Sequence, residues 1–300
     1  MGRKSRFDKI IKDNIIAKKE KSDDSFGYCV LPNNDKKFDV HVYDLYYSNR
    51  EFDEFCNTMK NEYNTIYDYY ARGKGSELVG TPPKMASVAS SSRFCYLSLR
   101  NATKIDTIRD FGFDEDEKVE QFEFEKDLVV PNVTGTNPQM DAFIETDETV
   151  FFFEFKCHEI FDNHKKELSL QYQKPLAEFD VTMSSTAIPY ASFGIDQIKL
   201  FDLKQFITHI LGIINYDPDN GKRKVFSYVY FKPKKVAKNL FNYEDLTGEI
   251  RNIFNSTAVN NICTNNQIEL RLYYYENDTM NGFEEEIKPK LILKKEFLTP

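Results

Sequence analysis

The chain has 300 residues, 41% of them hydrophobic, with 18 Tyr, 26 Phe and a formal net charge of −8. The hydrophobic share excludes wholesale disorder, and the length suffices for one large domain or two smaller ones around an aromatic, β-containing core. The acidic balance argues against indiscriminate nucleic-acid binding over the whole surface, but it leaves room for a local basic groove.

Five cysteines, Cys29, Cys56, Cys95, Cys157 and Cys263, form no C-x-x-C pair. Their odd number and spacing argue against a disulfide framework or zinc ribbon and fit a reducing compartment. No apolar run reaches the roughly 18 residues of a membrane span, and the start MGRKSRFDKIIKDN lacks the apolar stretch of a signal peptide. A cytoplasmic protein with no membrane partner is expected. Basic clusters at Gly2 to Arg6, Lys18 to Lys21, Lys222 to Lys224 and Lys232 to Lys238 each read as solubilising unless several meet at one site.

In chain order, residues 1 to 25 suggest a short charged helix with an Ile10, Ile11, Ile15, Ile16 stripe. Phe38 to Tyr46 suits either a strand or a loop-rich edge. A helix is expected from Ser48 to Gly73, because Phe52, Phe55, Met59, Tyr63 and Ile66 recur at three- and four-residue spacing. The stretch Gly73 to Pro83, GKGSELVGTPP, is the best internal boundary, separating a mostly helical region 1–80 from a region 81–300. Lys84 to Asn101 reads as a helix weakened in its middle by Ser90-Ser91-Ser92. Gln121 to Val130 reads as a strand with Phe122 and Phe124 on one face and Glu123 and Glu125 on the other.

The most informative stretch is Pro138 to Ile160, PQMDAFIETDETVFFFEFKCHEI. Two β-rich runs flank Thr146-Asp147-Glu148-Thr149, which predicts an antiparallel hairpin. With Asp147 and Glu148 as a two-residue loop, cross-strand partners sum to 295, and Asp141 falls opposite Glu154. Alternation puts Glu154 and Lys156 on the Asp141 face and Phe151, Phe153, Phe155 and Cys157 on the other. Facing carboxylates repel, and a hard divalent cation is their natural compensation, with Lys156 beside it to orient a water or stabilise phosphate charge. The plain alternative is a solvated strand face with an incidental acid pair.

Phe161 to Tyr190 has no clear period and suggests a short helix or a substrate-facing loop. Cys157, His158 and His164 match no usual zinc spacing. His158 lies on the Lys156 side, where it could contact phosphate. Asp196 to Tyr216 is expected to be a helix, with Asp202, Gln205 and His209 as a polar stripe. Val225 to Phe231 reads as a buried strand, Tyr243 to Ala258 as a helix, Ile268 to Tyr275 as a strand, and Glu284 to Phe297 as a charged edge strand. From Lys84 the order is helix, three strands, helix, strand, helix, strand. That order predicts an α/β fold with a mixed central sheet flanked by helices.

Asp141 followed by Glu154-Phe155-Lys156 resembles the D…(D/E)-x-K signature of the PD-(D/E)XK, or restriction-endonuclease-like, nuclease superfamily. Cys157-His158-Glu159 is similar to the continuation in some restriction endonucleases of that group. The element order also resembles its core, with the helical N-terminal region as an extension. The resemblance implies Asp141 and Glu154 as metal ligands, joined by the Phe155 carbonyl, and Lys156 as the partner of the nucleophilic water. Relatives often carry a further acid on the helix before the sheet; here that helix has none, and Glu123 or Glu125 is its candidate substitute. Gln205 resembles a glutamine that approaches the site in many relatives. His209 stands where some carry tyrosine, and it joins His158 as a candidate for substrate contact.

The function these residues imply is Mg2+-dependent hydrolysis of DNA phosphodiester bonds, with Mn2+ able to substitute, in a restriction or other defence role. A homodimer is the assembly that double-strand cutting would favour. The rivals are a catalytically inactive nuclease-fold module that binds nucleic acid or protein as a scaffold, and a hydrolase of other phosphoesters.

Overall fold

The computed structural model describes residues 28–30, 45–47, 49–73, 77–80, 83–87, 90–100, 106–111, 116–131, 133, 137–157, 159–161, 198–217, 221–233, 241–277 and 294–296. The expected helix in residues 1 to 25, the stretch 162–190, His158 and His164 lie outside them. Two short strands, β1 (Tyr28–Val30) and β2 (Leu45–Tyr47), pair antiparallel by themselves. Helices α1 (Asn49–Glu62) and α2 (Asn64–Arg72) follow, then α3 (Ser91–Leu99). The main sheet comprises β3 (Val119–Asp127), β4 (Gln139–Thr146), β5 (Thr149–Lys156), β6 (Arg223–Pro233), β7 (Ile268–Asn277) and β8 (Lys294–Glu296). Between its strands run α4 (Leu203–Ile214), α5 (Tyr243–Phe254) and α6 (Thr257–Asn265).

The six strands lie in sequence order. Pairs β3–β4, β4–β5 and β7–β8 are antiparallel, and β5–β6 and β6–β7 are parallel. This is the mixed sheet of an α/β fold. The hairpin has the two-residue Asp147-Glu148 loop, and its pairs, Ala142 with Phe153 through Glu145 with Val150, sum to 295 as expected.

Helices cover both faces. On the Phe155 face, α3 sets Phe94 edge-on to Phe155 at 5.0 Å, and α2 brings Tyr70 within 5.0 Å of Phe124. On the opposite face, Phe206 of α4 meets Phe226 of β6 at 5.7 Å, and Phe254 of α5 packs on both rings. One cluster of buried residues runs from Phe52 in α1 through the sheet to Tyr273, so the N-terminal helices share its core. β5 is buried along its whole length because helices cover it above and below and strands flank it on each side.

Several expected boundaries move. The helix from Ser48 to Gly73 breaks at Tyr63, which leaves helical geometry and whose ring packs edge-on against Tyr96 of α3. Lys84 to Ala86 is only a 3-10 turn, and α3 begins at Ser91. The serine run does not weaken a helix middle: Ser90 caps the N-terminus by accepting the Arg93 N–H at 3.1 Å. Likewise α4 starts at Leu203, not Asp196, because Asp202 caps it through the Gln205 N–H at 3.0 Å. The helix from Tyr243 ends at Phe254, and Ser256 caps a separate α6 where none was expected. Among the described residues no helix is long and apolar enough to cross a membrane.

Candidate active site

The two acids and the lysine of the signature meet where β4 parts from β5. Asp141 pairs with neither strand: the β3–β4 register passes from Phe124–Ala142 to Lys126–Met140, and the β4–β5 ladder ends at Ala142–Phe153. Asp141 is therefore not ladder-paired with Glu154, although the shared register brings the two close. Its Oδ2 instead accepts the Phe155 main-chain N–H at 2.6 Å. Burial, and then the neighbouring Glu154, raise the Asp141 carboxyl well above the usual carboxylate range, against the pull of Lys156.

Glu154 and Lys156 are 3% and 7% exposed, which excludes a solvated strand face. Lys156 donates to Glu154 Oε1 and, across 49 residues, to Gln205 Oε1 at 2.6 Å. Burial alone would lower the Lys156 pKa, but Glu154 and then Glu159 outweigh it, so the group is held as an ammonium. A buried ion pair stabilises a fold poorly compared with apolar residues of similar volume. Stability therefore does not account for these residue types at the centre of the sheet.

The polar stripe of α4 faces inward. Gln205 reaches Lys156, and His209, 2% exposed, sets Nδ1 3.6 Å from Glu154 Oε2. Burial lowers the His209 pKa, with Glu154 opposing. His209 is thus as buried as the Glu154 and Lys156 side chains it adjoins.

The two glutamates of β3 diverge. Glu123 is held by Lys126 at 2.6 Å, and that ammonium lies 4.6 Å from the Phe143 ring centroid. Glu125, with φ +54°, takes a left-handed conformation rare for a non-glycine residue, beside unpaired Asp141. Burial, then Glu77 and Glu154, push its carboxyl up to about 8. Residues of this neighbourhood with no sequence signal are Glu77 and Tyr228. Glu77 is a lone acid in a Gly/Pro-rich connector, yet it is 6% exposed and 3.5 Å from Lys84. Tyr228 lies in register beside Glu154 on β6, a neighbour that only strand pairing reveals.

Cys157 lies buried, and burial and then Glu159 raise its thiol well above the ordinary value. The basic run Lys222 to Lys224 is engaged internally, Lys222 by Glu120 and Glu145 at 2.8 Å and Lys224 by the Tyr216 carbonyl at 2.7 Å.

No family model matches the chain, and no curated protein or solved structure matches it. The chemistry of the site therefore rests on its own residues. Among the described residues no three His, Cys, Asp or Glu side chains converge closely enough to hold a metal ion. Two carboxylates suffice for a hard cation that keeps several waters, and Glu154 Oε2 is buried with no hydrogen-bond partner among the described residues. An orphaned, buried carboxylate oxygen beside a second acid suits a divalent ion.

Proposed function

We propose that this protein is a metal-dependent nuclease that hydrolyses DNA phosphodiester bonds on a restriction-endonuclease-like core. One observation carries the reading: half-buried Asp141 meets buried Glu154 and Lys156 at the end of the central hairpin, with an acceptor of Glu154 left unsatisfied. The sheet order, with a three-strand meander followed by a helix and a parallel strand, supports it.

Asp141 and Glu154, with the Phe155 carbonyl, would hold Mg2+ or Mn2+. A bound divalent ion supplies an acidified water and positive charge at the scissile phosphate. Lys156 remains an ammonium because Glu154 holds it charged, so it orients the water and stabilises phosphate charge rather than removing a proton. Gln205 fixes the ammonium from α4. Asp141, anchored on the Phe155 N–H, keeps the β4 end in place. A restriction or defence role is what the signature suggests.

The test is cleavage of supercoiled plasmid with Mg2+, Mn2+ or EDTA. Wild type should cut only with metal, Glu154→Gln should fall to background, and Lys156→Met should lose about a hundredfold or more. The nicked-to-linear ratio would distinguish a single cutter from a pair. Absence of both cleavage and calorimetric metal binding would favour the inactive scaffold.

A further inference from the structure

The segment that leads into α4 is held by a side chain from a different helix. Residues 198–202 belong to no helix or strand, so their main-chain N–H groups need acceptors from elsewhere. Glu249 of α5 supplies them. Its Oε1 accepts the Lys199 N–H at 3.0 Å, and its Oε2 accepts those of Leu200 at 2.7 Å and Phe201 at 3.0 Å. Amides that donate to a carboxylate make bonds roughly twice as strong as neutral pairs. Three successive donors thus converge on one carboxylate from 48 to 50 residues away in sequence.

What lies just downstream gives this clamp its consequence. Asp202 caps α4 through the Gln205 N–H at 3.0 Å, so Gln205 sits in the first turn. First turns lack preceding intrahelical bonds and fray unless they are tied down. The Gln205 side chain must nonetheless stay within reach of Lys156, whose ammonium donates to its Oε1 at 2.6 Å. Phe201, whose N–H Glu249 holds, also sets its ring 5.3 Å from Tyr228, the β6 neighbour of Glu154. Gly212 fixes the far half of α4 against Leu128, and Glu249 fixes the near end.

We infer that Glu249 is a positioning residue: it holds the first turn of α4 so that Gln205 keeps the Lys156 ammonium aimed. The inference rests on the nuclease reading, in which Lys156 acts on the water and the phosphate. The Glu249 carboxylate is engaged by the three amides, so it acts through α4 and not on substrate. A misplacement of about 1 Å caused far from the chemistry costs up to about a hundredfold in rate. Glu154 keeps its own hold on Lys156 when Glu249 is removed, so about tenfold is expected.

Proton exchange of the Lys156 ammonium, followed by nuclear magnetic resonance in the metal-free full chain and assigned by its loss in Lys156→Met, reads this contact without any cleavage. Exchange should be slow in the wild type and about tenfold faster in Gln205→Ala and in Glu249→Ala. The double variant should be no faster than the faster single one, because both act through one contact. Glu249→Gln keeps one oxygen for two of the amides and stands in if Glu249→Ala does not fold; it should speed exchange about threefold. Ser256→Ala removes the cap of α6 and controls for lost stability, leaving exchange within about twofold. In plasmid cleavage with Mg2+, Glu249→Ala should lower kcat about tenfold and leave KM within about twofold. A wild-type ammonium that exchanges too fast to observe, unchanged exchange in the Glu249 variants that fold, additive effects in the double variant, or an equal effect of Ser256→Ala would each overturn the role of Glu249. Unchanged kcat beside faster exchange would overturn its part in the reaction. A wild type that cuts no DNA would overturn the nuclease reading instead, and the exchange rates would still decide whether Glu249 holds Lys156 through Gln205.

Discussion

Glu125 is the strained residue of the site. A left-handed backbone at a non-glycine position costs about 1–3 kcal/mol and persists only where the surroundings demand it. Here they also demand a proton: burial, Glu77 and Glu154 push the carboxyl from its ordinary 4.5 to about 8. The native state holds that proton at pH values where the unfolded chain has released it. The resulting stability is full below the unfolded value and falls as pH rises through about 8. Asp141, raised by burial and by Glu154, adds in the same direction. The metal-free protein should therefore lose on the order of a few kcal/mol between about pH 5 and about pH 8, and Glu125→Gln should flatten much of that slope. Urea unfolding at the two pH values checks it; an unchanged slope in Glu125→Gln would refute the assignment.

Among the elements, α4 decides the geometry of the site, and Gly212 decides where α4 lies. A Cβ there would come 2.6 Å from Leu128 Cβ and 3.3 Å from Pro138 Cγ, so the helix rests almost directly on the chain flanking β3 and β4. Gly212→Ala must push the helix outward, at about 1–3 kcal/mol. Gln205 and His209 lie on the preceding turns, so the same shift should weaken metal binding. Gly248 in α5 is the control, since a Cβ there meets nothing within 4 Å. Gly248→Ala should be neutral or stabilise by up to about 1 kcal/mol. Thermal unfolding of both variants, with calorimetry on the first, separates packing from helix propensity; equal effects would contradict the close approach of α4. This contact was not legible in the sequence, where the helix showed only an apolar surface and a polar stripe. Whether that stripe faced water or the sheet depended on what α4 docks against. The hairpin was legible because loop length and alternation are local rules: the two-residue turn set the register, and the register brought Asp141 near Glu154.

For the whole molecule, burying acids at the centre of a six-stranded sheet leaves the folded state short of positive charge near Asp141, Glu154, Glu125 and Glu77. A divalent ion that binds only the folded chain should stabilise it by about 2.7 kcal/mol at a hundredfold excess over Kd. Glu154→Gln should lose that increment while Glu123→Gln, whose carboxylate Lys126 holds, should keep most of it. Scanning calorimetry with and without Mn2+ checks this, and a metal-induced rise that survives in Glu154→Gln would place the ion elsewhere. By itself the sequence determined the elements that follow from short spacing: the apolar stripe of α1 and α2, the hairpin and its register, the face shared by Glu154 and Lys156, and a strand–helix–strand order that implies a mixed sheet. Only the tertiary structure decided which polar groups lie inside. The contact between Lys156 and Gln205 spans 49 residues, Tyr228 joins Glu154 through a parallel pair, and Glu77 enters from a connector. Spacing of two, three or four residues encodes which face a side chain takes, but burial comes from the layer packed on that face, and that layer is supplied by distant parts of the chain.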